Sequence, residues 1–156
     1  MAETNVQQPE RKRYPTLPLL KVSMRGKIRE PGAYYYSSES AVKNLRRMSR
    51  LDREEFWILH LNTKNRLIGY EVVSTGSLTA SVVHPREVFK AAILNNSNGI
   101  ICAHNHPSGD TTPSREDISI TKRLKEGAEI LGIRLLDHII VAPNGRFTSM
   151  ADMGHV

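Results

Sequence analysis

Two histidines separated by one residue mark the part of this sequence best suited to chemistry. In an extended segment His104 and His106 would point to the same side, because side chains at i and i+2 share a face. Residues 107–113 are rich in Pro, Gly, Ser and Thr, so they can turn the chain. Ser114 then suits a helix N-cap, and Asp117 falls in the first turn. Two nitrogen ligands and one carboxylate, with a fourth position left to water, are typical of a catalytic zinc site.

The same spacing has a purely structural interpretation. Ser114 and Asp117 match a capping box, in which two side chains satisfy free backbone N–H groups at a helix start. Ser114 could cap through one lone pair and still donate its proton elsewhere. We expect Asp117 to serve either the cap or a metal ion, and not both.

The pattern His-x-His, seven residues, Ser, two residues, Asp resembles the signature of the JAMM (MPN+) metalloprotease family. The wording HNHPSGD, PSREDI and LDHIIV is most similar to its RadC-like bacterial branch, and the resemblance covers roughly residues 37–152. It implies α–β–α layering and a zinc-dependent hydrolase that cleaves a peptide or isopeptide bond. His104, His106 and Asp117 would then hold the zinc, and Ser114 would stabilise the oxyanion of the reaction.

The resemblance also implies a glutamate base just before the first central strand, and Glu54 and Glu55 both stand there. RadC-like sequences carry a glutamate two residues before the phenylalanine, here Phe56, which favours Glu54. Related JAMM proteins place the acid directly before the strand, so Glu55 is the alternative. The base would take a proton from the attacking water and pass it to the leaving nitrogen.

Other polar residues have weaker cases. Asp110 suits a turn better than a contact with substrate. Asp137 and His138 interrupt an apolar segment, either as outer partners of the metal ligands or as a buried, hydrogen-bonded pair. Cys102 shares the parity of His104, and we expect a small buried hydrophobic role for it. Three histidines are expected to have no metal role: His60, His84 and His155.

Local patterns predict the elements that must position these residues. The fold class is α/β (α+β), a mixed sheet flanked by helices. We expect helices at 39–50, 85–94 and 115–131, and strands at 56–61, 67–74, 78–83, 99–103, 133–141 and 147–149. The strands at 56–83 suggest an antiparallel meander. The predicted apolar helix faces are Val88, Phe89, Ala92 and Ile93, and Ile120, Leu124, Ala128 and Leu131.

Composition narrows the class of protein. The chain has 156 residues, 39% apolar and 24% charged, which fits one globular domain. No apolar run approaches the ~20 residues of a membrane span, and no apolar core follows the basic N-terminus as in a secretory signal. Cys102 is the single cysteine, so no intrachain disulfide can form. We therefore expect a cytoplasmic protein.

The net charge of +6 is concentrated near the N-terminus. Residues 1–30 hold seven basic and three acidic side chains, so we divide the chain into a basic, partly disordered arm, 1–36, and a domain, 37–156. The arm could bind nucleic acid or simply be a solvated tail. It is too short for the helix–hairpin–helix domain of longer RadC-like proteins, which indicates a short form. Two rival functions remain: a nucleic-acid-processing hydrolase, and a non-catalytic MPN scaffold.

Overall fold

The computed structural model describes residues 33–76 and 83–156, and within them five strands form one mixed sheet. The strands are β1 (Glu55–Leu61), β2 (Leu67–Thr75), β3 (Gly99–Asn105), β4 (Arg134–Val141) and β5 (Phe147–Ser149). The helices are α1 (Ser38–Val42), α2 (Pro85–Leu94) and α3 (Arg115–Leu131), with 3₁₀ helices at Met48–Arg50 and Pro143–Gly145. These elements confirm the predicted fold class.

The strand order is β2-β1-β3-β4-β5. β1 runs antiparallel to β2 and to β3, β3 runs parallel to β4, and β5 returns antiparallel to β4. The predicted hairpin of β1 and β2 is thus confirmed. The third strand of the expected meander falls mostly on residues 77–82, outside the described residues, as does most of the predicted arm.

Both faces of the central strands β1 and β3 are buried, as the apolar run of β1 predicts. One face carries Phe56, Ile58 and Cys102 and packs against α2 and α3. The opposite face carries Trp57 and Leu59 and packs against α1 and the segment that follows it. Burying each large apolar side chain contributes roughly 1.5–3 kcal/mol. The site residues therefore stand on a sheet held from both sides.

The predicted helix at 39–50 is wrong in extent. Ser37 caps α1 as expected, but the helix ends at Val42. Beyond it, the backbone N–H groups of Asn44 and Leu45 donate to carbonyls three residues back. The Asn44 side-chain amide donates to the carbonyl of Ser40. The α-helical ladder therefore stops, although three apolar residues of the segment stay fully buried, namely Ala41, Leu45 and Met48.

The longer helices begin and end as predicted, with His84 and Ser114 as N-caps and Gly132 in the left-handed region at φ +67°. Their apolar faces need two corrections. Ile93 is 54% exposed, because its side chain points away from the face of α2 that carries the buried residues. Leu131 is 45% exposed because it is the last residue of α3. Of the helices described, none combines the length and apolarity that a membrane crossing needs.

Candidate metal centre

The two histidines lie at the end of β3 and just after it. His104 pairs with Phe56 on β1 and with Ile140 on β4, and it is fully buried. The His106 N–H donates to the carbonyl of Val141 at 2.8 Å, which continues the parallel ladder past the strand end. The segment thus stays extended, and the two Nε2 atoms lie 3.0 Å apart. The predicted convergence of the imidazoles is confirmed.

Asp117 reaches the same point from the first turn of α3, and its two oxygens have different partners. Oδ2 accepts hydrogen bonds from the Ser114 N–H at 2.8 Å and the Ser114 hydroxyl at 2.7 Å. Oδ1 lies 3.2 Å from Nε2 of His104. Oδ2 completes the capping box and also lies 3.7 Å from Nε2 of His106. The cap is thus present, and the role of Asp117 as a metal ligand stays a prediction.

The spacing of the three donor groups suits a small tetrahedral cation. Four ligands at zinc–nitrogen and zinc–oxygen distances sit about 3.4 Å from one another at the corners of a tetrahedron. The observed separations are 3.0 Å between the histidines, 3.2 Å from His104 to Asp117 and 3.7 Å from His106 to Asp117. Among the described residues, His104, His106 and Asp117 form the group that could hold a metal. The His104 distance is to Oδ1 and the His106 distance is to Oδ2, so the carboxylate lies beside both rings and the three residues could hold a metal ion.

The hydrogen bonds and charge of the site also favour a bound cation. The ring of His106 places Nδ1 2.7 Å from the carbonyl of Asp110, so Nδ1 donates there and the neutral ring presents a bare Nε2 to the site. Burial tends to raise the pKa of Asp117, but hydrogen bonds from His104 and Ser114 outweigh it and hold that pKa well below its usual range. The Asp117 carboxylate is thus anionic at the point where the two imidazoles converge, an arrangement that a cation stabilises.

Ser114 stands beside the centre with its hydroxyl proton directed at Asp117. Its Oγ donates to Oδ2 and accepts from the Asp117 N–H at 3.1 Å. The Ser114 N–H also holds Oδ2, so the hydroxyl can turn toward a reacting oxygen while the carboxylate keeps one hydrogen bond. The cap is confirmed, and the oxyanion role stays a prediction.

Strand alternation assigns the two candidate bases to different faces of the sheet. Glu55 accepts a hydrogen bond from the indole N–H of Trp57 at 2.7 Å, on the face away from His104. Glu54 immediately precedes β1, and continuing the alternation back from Phe56 puts it on the His104 face. Phe56 itself stacks on the His104 ring at 6.0 Å. This placement favours Glu54 over Glu55.

Asn105, between the two histidines, is a residue that the sequence reasoning missed. Its side chain is buried and bonds the backbone on both sides of Glu54, accepting from the Glu55 N–H and donating to the Arg53 carbonyl. The signal was a polar residue in an apolar strand, and its partners lie 50 and 52 residues away.

Asp137 and His138 divide the two roles foreseen for them, because neighbours on a strand face opposite sides. Asp137 accepts hydrogen bonds from Ser149 and from the N–H groups of His138 and Ala151, so it is the buried, satisfied carboxylate. His138 contacts His104 through a nitrogen–nitrogen distance of 2.8 Å and is its outer partner.

The side chains of the remaining candidates are not part of the metal-ligand group. Asp110 accepts from the N–H of Thr112 in the loop, as a turn residue does. His60 bonds Ser97, and His84 caps α2. Cys102 is completely buried, and this burial raises the pKa of its thiol. Its expected role as a small apolar residue agrees with its place in the core.

Comparison with known proteins points to one protein family. The family model of the RadC-like JAB domain matches residues 35–155. A UPF0758 protein of Methanosarcina acetivorans is 56% identical over 110 residues, which are 70% of this chain and 48% of that protein. A UPF0758 protein of Staphylococcus carnosus is 56% identical over 111 residues, 71% of this chain and 49% of that protein. The chain spans about half the length of these curated relatives.

Proposed function

The chain belongs to the RadC-like JAB domain family, and on that premise we propose that it is a zinc-dependent hydrolase of peptide or isopeptide bonds. The observation that carries this proposal is the convergence of His104, His106 and Asp117 at the spacing of zinc ligands. Zinc, when bound, supplies Lewis-acid polarisation of a carbonyl and a more acidic water.

The chain supplies the remaining groups of the proposed mechanism. Glu54 accepts a proton from the attacking water and returns it to the leaving nitrogen. The Ser114 hydroxyl turns from Asp117 and donates to the oxygen on which negative charge develops. The Ser114 N–H keeps Asp117 oriented meanwhile. Asn105 fixes the peptide groups that flank Glu54, so the base does not move with the strand end.

One observation favours a second candidate, a nucleic-acid-processing hydrolase. A pocket of about 600 Å³ is lined by Arg46 and Arg50 together with Pro143. Neither arginine pairs with an acidic side chain in the described parts of the chain. Guanidinium groups bind phosphates well, so this pocket suits a nucleic-acid backbone. The scaffold alternative is less favoured, because every ligand position holds a ligating residue.

A paired activity screen tests the proposal. Zinc-loaded protein would be offered a mixture of peptides, isopeptide-linked substrates and single- and double-stranded oligonucleotides. Cleavage of an amide that is absent with Asp117→Asn would support the peptidase. Cleavage of oligonucleotides alone, lost in the same variant, would select the second candidate. Zinc binding without cleavage of either class would count against both.

A further inference from the structure

We propose that Thr121 and His138 hold a proton of His104 on Nδ1, so that Nε2 is the ring nitrogen left to a metal ion. The proposal rests on the proposed function for its purpose, but its geometry stands on hydrogen bonds that contain no metal. Both are positioning residues, since they touch His104 and the backbone of Asp117 rather than the reacting atoms.

Three hydrogen bonds connect the backbone carbonyl of Asp117 to His104 through Thr121 and His138, and we call this series the relay. Its first member is the Asp117 carbonyl. The Thr121 hydroxyl oxygen lies 2.6 Å from it, one helical turn further along α3. A carbonyl can only accept, so the single hydroxyl proton of Thr121 lies in this bond. Threonine in a helix commonly bonds the carbonyl four residues back, and here the bond is completely buried.

The second link follows from that first assignment. Nδ1 of His138 lies 2.6 Å from the same Thr121 oxygen, whose proton is already used. The oxygen must therefore accept, and His138 must donate from Nδ1. His138 is completely buried beside the Phe56 ring, which disfavours a charged imidazolium. In the neutral ring, Nε2 then carries a lone pair.

The third link reaches the ligand. Nδ1 of His104 lies 2.8 Å from Nε2 of His138, which can only accept, so His104 donates from Nδ1. The Nδ1 proton is thereby fixed, and Nε2, which lies 3.0 Å from His106 and 3.2 Å from Asp117, is the nitrogen left to a metal ion. The relay starts at the Asp117 carbonyl and ends at the nitrogen facing the Asp117 carboxylate, so one residue both orders the relay and supplies a ligand.

The alternative is that these bonds only satisfy buried polar groups. In that case the proton on His104 would not depend on Thr121, which has no direct contact with it among the hydrogen bonds of the site. The relay makes the opposite prediction. If the Thr121 oxygen is removed, His138 no longer needs its proton on Nδ1 and can carry it on Nε2. His104 must then accept at Nδ1, and its own proton moves to Nε2, where it blocks a metal.

Nitrogen NMR of histidine-labelled, metal-free protein tests the relay directly. Wild-type His104 should be protonated at Nδ1, with signals assigned by comparison with His104→Gln. Thr121→Val keeps the side-chain shape but removes the oxygen, and it should show His104 protonated at Nε2 in part of the population. Thr121→Ser keeps the oxygen and is the matched control, with a wild-type spectrum expected.

Zinc affinity provides the second readout. Loss of an outer partner typically weakens metal binding about 10–100-fold, which we expect for Thr121→Val but not Thr121→Ser. Equal affinities and spectra for the two variants would overturn the relay, as would a wild-type His104 that carries no proton on Nδ1. The wild-type spectrum decides the matter even if Thr121→Val fails to fold. A protein that shows the predicted tautomer but takes no zinc would overturn the proposed function and leave the relay intact.

Discussion

The side chain of Asn105 replaces a backbone partner of Glu55. Its Oδ1 accepts from the Glu55 N–H at 2.8 Å, and its Nδ2 donates to the Arg53 carbonyl at 3.0 Å. The carbonyl of Glu54 itself accepts from the Gly76 N–H at 2.8 Å. Three hydrogen bonds thus hold the two peptide groups that flank the candidate base Glu54. Two of these bonds are made by Asn105, which lies between the metal-ligand candidates His104 and His106.

Asn105→Ala should reduce hydrolysis while leaving zinc bound. Removing the side chain leaves two partly buried backbone groups without partners, which costs about 1–3 kcal/mol each in the free energy of unfolding. Asn62→Ala is the control, since the Asn62 side chain also bonds two backbone groups, here two N–H groups in the turn between β1 and β2. Urea unfolding, zinc content and hydrolysis would be measured for both. Equal activity losses at matched stability would show that Asn105 does not position the base.

The purified protein should contain about one zinc per chain, because its three ligands match the donor set of a catalytic zinc site. His104→Ala should lose the metal, since two remaining ligands rarely hold zinc. Asp117→Asn should weaken binding by replacing an anionic oxygen with a neutral one. Elemental analysis and competition with a chelating dye measure both effects, and His84→Asn serves as control because His84 caps α2. Zinc retained in full by His104→Ala would contradict the assigned ligands.

Glu54→Gln should remain folded, keep its zinc and lose about 10²–10⁴-fold in hydrolysis rate, because the amide cannot take up the proton. Glu55→Gln is the matched control, since a glutamine oxygen can still accept from the Trp57 indole. We expect it to hydrolyse at nearly the wild-type rate. The opposite ranking of the two variants would mean that Glu55 is the base and that the alternation before β1 is broken.

His60 should make the metal-free fold sensitive to mild acid. Burial lowers its pKa from 6.5 to about 4. Between these values the unfolded chain binds the proton and the folded one does not, so stability falls as pH falls through this window. From pH 7.5 to pH 5, His60 should account for about 2 kcal/mol of lost unfolding free energy. Urea unfolding of His60→Gln at both pH values should show a loss smaller by that amount.

Ser97→Ala controls for the hydrogen bond of His60, as it removes the partner hydroxyl but leaves the ring buried. It should change stability similarly at the two pH values. A His60→Gln protein with the full wild-type pH dependence would assign the acid sensitivity to other groups.

Local periodicity by itself determined the strand that presents His104 and His106, the helix that presents Asp117, and the Ser114 cap. These features depend on residues two to four positions apart, where the chain geometry leaves little choice. For the same reason, residue type and spacing alone indicate the three donor groups. Local patterns predicted the helix at 39–50 with the wrong length, because the Asn44 side chain donates to a backbone carbonyl where the helix ends early.

Only the tertiary structure decided how the donor groups are supported. Asn105 bonds across a sheet to residues 50 and 52 positions away, and His138 reaches His104 from 34 positions away. The Asp117 carboxylate joins the cap and also lies beside both imidazoles, a combination that no spacing rule specifies. Periodicity assigns a side chain to a face of its own strand or helix. Strand register and helix docking decide which polar atoms then meet, and those depend on packing across the whole sheet.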